Sequence, residues 1–425
     1  MSFLFKIIIF FSPIQSFVFA SIIKGLTIFN VGVIIRFFIG LFYIKKGKSL
    51  LLYYLLSFLI IYFTIFILQQ FMMYLFPVVF YKDAIFVSGD LGTSMFLRSS
   101  FFTQSIYLFI CILFFDYIIN YLQKNSLRTF INFIFFSVIA FVVYGYFEFF
   151  LYLSTGSNSD FISNRITGED FNYGLFQTAS FSGQNFMRIK SLAGEPSMFA
   201  FTVLPFFILS VYMRKMLVAI LLFVTLILTT STSAILGIFM FLVLDLIYFK
   251  NKFKKSIVLL VFFLVIYWIF YDVINQLYML VYEKINLVSD SGIDRFRFFN
   301  DHFQIWLESN IIHKIFGYGF GYFRSTDGFT TLLVNVGVFG LFSYCSFFIL
   351  PYFLISSRSK YIYGLYIANL TLLIVILVSV SEFFYPHIWI FNALLWYEYL
   401  RNLNIKKNIK KNIKKNIEKN IENAI

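Results

Sequence analysis

The chain has 425 residues, 60% of them hydrophobic and only 13% charged, with a mean hydropathy of +0.85. Soluble domains are about 45–50% apolar and about 25% charged, so a water-soluble fold of this length could not cover its apolar surface and lipid is the expected solvent. The formal net charge is +14, but the lysines and arginines gather in short loops and a C-terminal tail, which fits membrane orientation and anionic lipid rather than nucleic acid.

A helix crossing roughly 30 Å of hydrocarbon needs about 20 apolar residues. About twelve runs qualify: 3–23, 26–44, 50–76, 96–119, 130–153, 197–213, 217–230, 231–249, 256–275, 330–355, 362–380 and 384–400. The first resembles a signal peptide, but its apolar stretch is too long and no Ala-x-Ala site follows, so it reads as a span. The run 217–249 carries no charge before Asp245 and is too long for one span, and its Thr/Ser-rich stretch from Thr229 to Ser233 is the natural turning point. Cys111 and Cys345 lie inside apolar runs and read as packing residues rather than a disulfide.

Charge tests this division. Cytoplasmic loops are rich in Lys and Arg. With twelve spans and an internal N-terminus, the basic clusters at 45–48, 124–128, 214–215, 250–255 and 358–360 all fall on one side, together with the tail. Merging 217–249 into one span would put 214–215 and 250–255 on opposite faces. The expected fold is therefore an all-α polytopic membrane protein of about twelve helices, with residues 1–400 forming one transmembrane domain. Two large extracytoplasmic loops, 154–196 and 276–329, lie on the outer face. The tail, 401–425, repeats Asn-Ile-Lys-Lys with isoleucines four apart. It is either an amphipathic helix on the anionic inner leaflet or a repeat without a role.

Basic residues in outer loops run against the inside bias. Arg165, Arg188 and Lys190 lie in the first loop, and Lys284, Arg295, Arg297, Lys314 and Arg324 in the second. As a set they fit binding of a pyrophosphate or an acidic sugar, because guanidinium forks hold such oxygens in pairs. The alternative is ion pairing with Asp290, Asp294, Asp301 and Glu308. Phe299, Phe303 and Trp306 share one face at helical spacing, as in a helix lying at the membrane interface. Glu195 and Pro196 open the sixth span, so Glu195 either caps that helix or holds a carboxylate near Arg188 as a base. Gly317, Gly319 and Gly321 lack the Gly-Lys-Ser/Thr of a nucleotide loop and read as a tight turn bringing backbone close to a ligand. His302, His313 and His387 show no metal-ligand spacing. Within or beside the spans, Arg36, Asp116, Glu148, Asp245 and Glu382 stand out; all but Arg36 fall near span ends, where interface placement accounts for them.

In order along the chain, three segments resemble the O-antigen and capsular polysaccharide polymerases, relatives of the O-antigen ligases. They are Arg188 to Ser197, with its Gly-Glu-Pro-Ser entry to a span; the Ser/Thr-rich hairpin from Leu228 to Leu236; and Ile315 to Gly321, followed by Asp327 and by Gly337 to Gly340. The resemblance implies a metal-independent membrane glycosyltransferase without a cofactor. It would transfer a glycan from polyprenyl pyrophosphate to the terminal hydroxyl of a lipid-linked repeat unit, at the outer face of a bacterial cytoplasmic membrane with both termini inside. It further implies that Arg188, Arg295, Arg297 and Arg324 stabilise the leaving pyrophosphate and that Glu195 or Asp327 deprotonates the acceptor, with Arg165, Lys190 and the three glycines contacting substrate. Implied partners are the lipid-linked oligosaccharide, membrane lipids, a chain-length regulator and a flippase, with no nucleic acid. The ligases carry a histidine where this chain has Thr326, which favours polymerase over ligase. The alternative from another class is a lipid-linked oligosaccharide flippase, which would show internal repeats and charges within the bundle.

Overall fold

The computed structural model describes residues 3–19, 25–42, 50–76, 96–157, 160–165, 177–181, 184–248, 290–355 and 359–422. Among these residues there are thirteen α-helices and one short hairpin. The helices are α1 (Phe3–Phe10), α2 (Ile28–Phe42), α3 (Leu50–Leu75), α4 (Ser99–Lys124), α5 (Leu127–Thr155), α6 (Pro196–Tyr212), α7 (Met216–Leu228) and α8 (Thr232–Tyr248). They continue with α9 (Asp290–Glu308), α10 (Ile311–Phe316), α11 (Gly328–Leu354), α12 (Lys360–Ser379) and α13 (Pro386–Glu422). The antiparallel hairpin joins β1 (Thr178–Phe181) to β2 (Gln184–Met187).

Five helices, α3, α4, α5, α11 and α12, contain windows long and apolar enough to cross a membrane, and α2, α6, α7 and α8 are shorter apolar helices. Large side chains such as Leu217, Phe342 and Phe353 face outward. In water such rows would be an aggregation hazard, whereas in lipid they are the normal surface. The chain is an α-helical membrane protein.

The helix α6 is the hub. It is apolar on every face, and Phe199, Phe201, Val203, Leu204 and Ile208 are fully enclosed, the pattern of a helix surrounded by others. It packs against α7, α8 and α12, while α4 packs against α13. The long apolar run breaks at Thr229 and Thr230, where Thr230 has φ 45, and this makes the α7–α8 pair a hairpin.

One expectation is revised. The first run is not one helix over 3–23, because α1 stops at Phe10 and the chain turns through residues 11–19. Pro13 has no N–H for a continuing helix, and the Ser12 hydroxyl bonds back to the Ile9 carbonyl at 2.8 Å. Eight residues rise only about 12 Å. At the other end, the helix that carries the last apolar run continues into the tail. The helix α13 runs unbroken for 37 residues, about 55 Å at the usual rise. The expected span 256–275, Lys284 and residues 77–95 between α3 and α4 lie outside the described residues.

Candidate functional site

The first loop returns through the β-hairpin and is then pinned to the tip of the α7–α8 hairpin. Ile189 N–H donates to the Leu228 carbonyl at 3.2 Å. Arg188 Nε donates to the Thr229 carbonyl at 3.0 Å, one terminal nitrogen donates to the Thr230 carbonyl at 3.3 Å, and the other donates to Gln177 Oε1 at 2.5 Å. The last carbonyls of a helix have no partner within it, so the guanidinium satisfies the end of α7 while the hairpin fixes the arginine.

Two residues on, Lys190 is fully enclosed. Its ammonium is ion-paired with Asp160 and lies 3.7 Å from Glu148 of α5. Burial pushes the Asp160 carboxyl up, but the Lys190 ammonium and hydrogen bonds from Ser163 outweigh it and hold the group below its ordinary value. This ion cluster ties loop 160–165 to loop 188–190. Lys190 is therefore engaged inside the protein, away from any open surface.

After Gly194, with φ 95, comes Glu195 in an extended conformation before Pro196. Its side chain makes no helix-capping bond. The carboxylate instead meets charges from three other segments. Burial raises its carboxyl above the ordinary range, Glu382 adds to the rise, and Arg324, Ser197 and Arg295 oppose it. Burial pushes the Arg188 and Arg295 guanidinium groups down, and in each case Glu195 pulls them back up. Arg324 is ion-paired with Glu382 on the loop between α12 and α13, and this partner holds its guanidinium above the ordinary value. Tyr385 is buried beside this group.

The Arg324–Glu382 pair also forms part of the wall of a cavity of about 150 Å³. Arg165 also lines it, donating to the Gln15 carbonyl at 3.5 Å. Much of the remaining lining is aromatic and amide, including Tyr107, Phe320, Phe384 and Tyr385 with Gln15, Asn30, Gln104 and Asn335. Such a surface offers flat apolar faces and hydrogen-bonding edges to one ligand.

The glycine-rich loop is built by close backbone approach. Gly317 (φ 76) and Gly337 (φ 67, a break inside α11) face each other's segments. A Cβ on Gly317 would lie 2.3 Å from the Asn335 carbonyl carbon, and one on Gly337 would lie 2.2 Å from the Ile315 oxygen. The break frees carbonyls, and the loop takes them: Tyr318 N–H donates to Val334 at 2.9 Å and Gly319 N–H to Asn335 at 3.0 Å. Gly321 lines the cavity against Gln104; Gly317 and Gly319 serve the turn.

Asp327 is the N-cap of α11. One oxygen accepts the Thr330 N–H at 2.7 Å; the other accepts the Ser325 and Thr330 hydroxyls, both at 2.7 Å. Both oxygens are occupied. Arg295 and Arg297 are two residues apart on α9 and so point to different sides. Arg297 is 53% exposed and pairs with Asp294 at 3.1 Å. Phe299, Phe303 and Trp306 do stack along one face, with centroids 5.9 and 5.7 Å apart.

Of the residues singled out from sequence, the fold thus brings together Arg165, Arg188, Glu195, Arg295, Arg324 and Gly321. It sets Lys190, Arg297, Asp327, Gly317 and Gly319 apart from that group. Glu382 was legible only as an interfacial carboxylate, and Tyr385 and Asn335 carried no sequence signal. The other intramembrane polar groups are locally engaged: Arg36 lies 5.8 Å from the Tyr117 ring, Asp116 accepts from Asn120 at 2.7 Å, and Asp245 accepts from the Tyr212 hydroxyl. The fold and site define a helical membrane protein with a cationic, carboxylate-bearing centre at one end of its bundle. No family model, no curated protein and no solved structure matches the chain.

Proposed function

We propose that this protein is a polysaccharide polymerase of the bacterial cytoplasmic membrane. In this reading the basic clusters and the C-terminal tail lie inside, and loops 154–196 and 276–329 face outward. The acceptor is the terminal hydroxyl of a lipid-linked repeat unit. Its oxygen attacks the anomeric carbon of a glycan carried on polyprenyl pyrophosphate. The bond from that carbon to the pyrophosphate oxygen breaks, and the pyrophosphate leaves with the electron pair.

The observation that carries the reading is the convergence of Arg165, Arg188, Arg295 and Arg324 with Glu195 and Glu382 beside an aromatic and amide-lined cavity. Fixed guanidinium groups in a partly dehydrated site stabilise a diphosphate leaving group strongly. Glu195 has a carboxyl raised above its ordinary range and no capping duty, which suits a base that takes the hydroxyl proton. Glu382 holds Arg324 in place until an anion arrives.

The test is a deletion strain in which surface glycan and extracted lipid-linked sugars are examined together. Single repeat units on the lipid carrier without a polymer ladder are expected. Long polymer stranded on the carrier would indicate a ligase, single units confined to the inner leaflet a flippase, and an unchanged profile would remove the reading altogether.

A further inference from the structure

We infer that Asn335 is a positioning residue for Arg324, acting through the backbone of the loop that carries it. Asn335 lies on α11 just before the Gly337 break and is 2% exposed. Its Oδ1 accepts from the Tyr322 N–H at 3.0 Å and from the Phe323 N–H at 2.8 Å. Its Nδ2 donates to the Phe323 carbonyl at 2.7 Å. One side-chain amide thus holds three backbone groups of the Tyr322–Phe323 dipeptide.

The held dipeptide immediately precedes Arg324. Tyr322 and Phe323 are both fully buried, whereas the Arg324 side chain is 54% exposed. The Tyr322 hydroxyl is itself fixed by Gln70 at 3.0 Å and by the Arg98 N–H at 3.2 Å. Arg324 is the first residue released from this clamp, and its guanidinium meets Glu382 at the cavity wall. A rigid base under a long side chain reduces the rotamer freedom lost when an anion is bound. Only a neutral amide of this length supplies both the acceptor and the donor: aspartate lacks the donor, leucine lacks both, and glutamine adds a methylene in a closed space.

The activity readout rests on the polymerase reading above. In the deletion strain, plasmid-borne Asn335→Ala, Arg324→Lys, Arg324→Ala and the Asn335→Ala/Arg324→Lys double variant are compared for polymer yield and for protein level in the membrane. Asn335→Ala is expected to reduce polymer on the order of 10²-fold at unchanged protein level, the scale of a small misplacement of a catalytic group. Adding it to Arg324→Lys should change yield by no more than about twofold, because the two substitutions damage the same interaction. An independent, multiplicative loss in the double variant would overturn the inference, as would full yield from Asn335→Ala when Arg324→Ala has lost polymer. If Asn335→Ala fails to accumulate, Asn335→Leu, which fills the space but keeps none of the three bonds, takes its place in the same comparison, and the same two results support or overturn the inference. Full polymer from Arg324→Ala would instead remove the proposed site itself, and Asn335 with it.

Discussion

Arg324 and Glu382 are ion-paired across the cavity wall, joining the glycine-rich loop before α11 to the short loop between α12 and α13. The pair is partly exposed, at 54% and 23%, so it adds little to stability. Its consequence is a cation held ready at the cavity. Arg324→Ala should lower polymer yield by about 10²–10³-fold, the usual effect of deleting one fixed donor to developing charge. Arg297→Ala, on the exposed side of α9, should leave yield within about twofold, as for a surface change away from the site. Glycan gels of the two strains, side by side with membrane protein levels, check the contrast; equal losses would count against the arginine cluster as the centre.

The carboxyl of Glu195 is raised by burial and by Glu382. A base must be ionised, so activity should fall as pH drops through that raised value, giving an acid limb above the ordinary carboxylate range. Stability runs in the opposite sense for this group. A carboxyl whose folded value is raised favours the folded state when protonated, and that contribution is lost as pH rises through the folded value. Glu382→Gln removes one negative neighbour and frees Arg324 to act on Glu195. The acid limb of the residual activity should therefore move to lower pH, read from a pH profile of polymer formation in membranes. A shift to higher pH would contradict the assignment.

Asp327 behaves as a cap. Replacing an N-cap aspartate by alanine costs about 1 kcal/mol, and Ser325 and Thr330 would also lose their partner. Asp327→Ala should lower the melting temperature of the detergent-purified protein and reduce its membrane level. Asp327→Asn, which retains an acceptor oxygen, should recover most of both and sustain polymer formation. Loss of polymer in the asparagine variant at normal protein level would make Asp327 a reacting group rather than a cap.

Lys190 is enclosed with Glu148 and Asp160. Removing one partner of a buried ion cluster leaves uncompensated charge and costs about 3–5 kcal/mol. Lys190→Met should therefore deplete the folded protein. The triple variant with Glu148→Gln and Asp160→Asn should restore much of it, since no buried charge is then left alone. Thermal melts of the purified variants measure both effects; a triple variant no better than Lys190→Met would show that the lysine matters for something beyond charge balance.

Periodicity and composition determined a good deal of this protein. An apolar run of helical length must form a helix in lipid, because every backbone group has to bond within its own segment. The ends of α5, α6, α12 and the α7–α8 turn accordingly fall within a few residues of their expected limits. Local chemistry also made Arg188, Glu195, Arg295 and Arg324 conspicuous, since charge in a loop of an apolar chain calls for a partner. The early stop of α1 was harder to see, because Pro13 and Ser12 are small interruptions in a strongly apolar run.

Only the tertiary structure decided which charges meet. Lys190 and Arg188 are two residues apart, yet one is sealed against Glu148 and Asp160 while the other is tied to a hairpin tip beside Glu195. Arg295 and Arg297 diverge because a helix turns them apart. Glu382 and Asn335 join the site through contacts spanning 58 and 12 residues of sequence. Sequence fixes spacing along a chain, but the distance between two loops depends on how the helices beneath them pack, and that is set by the whole bundle at once.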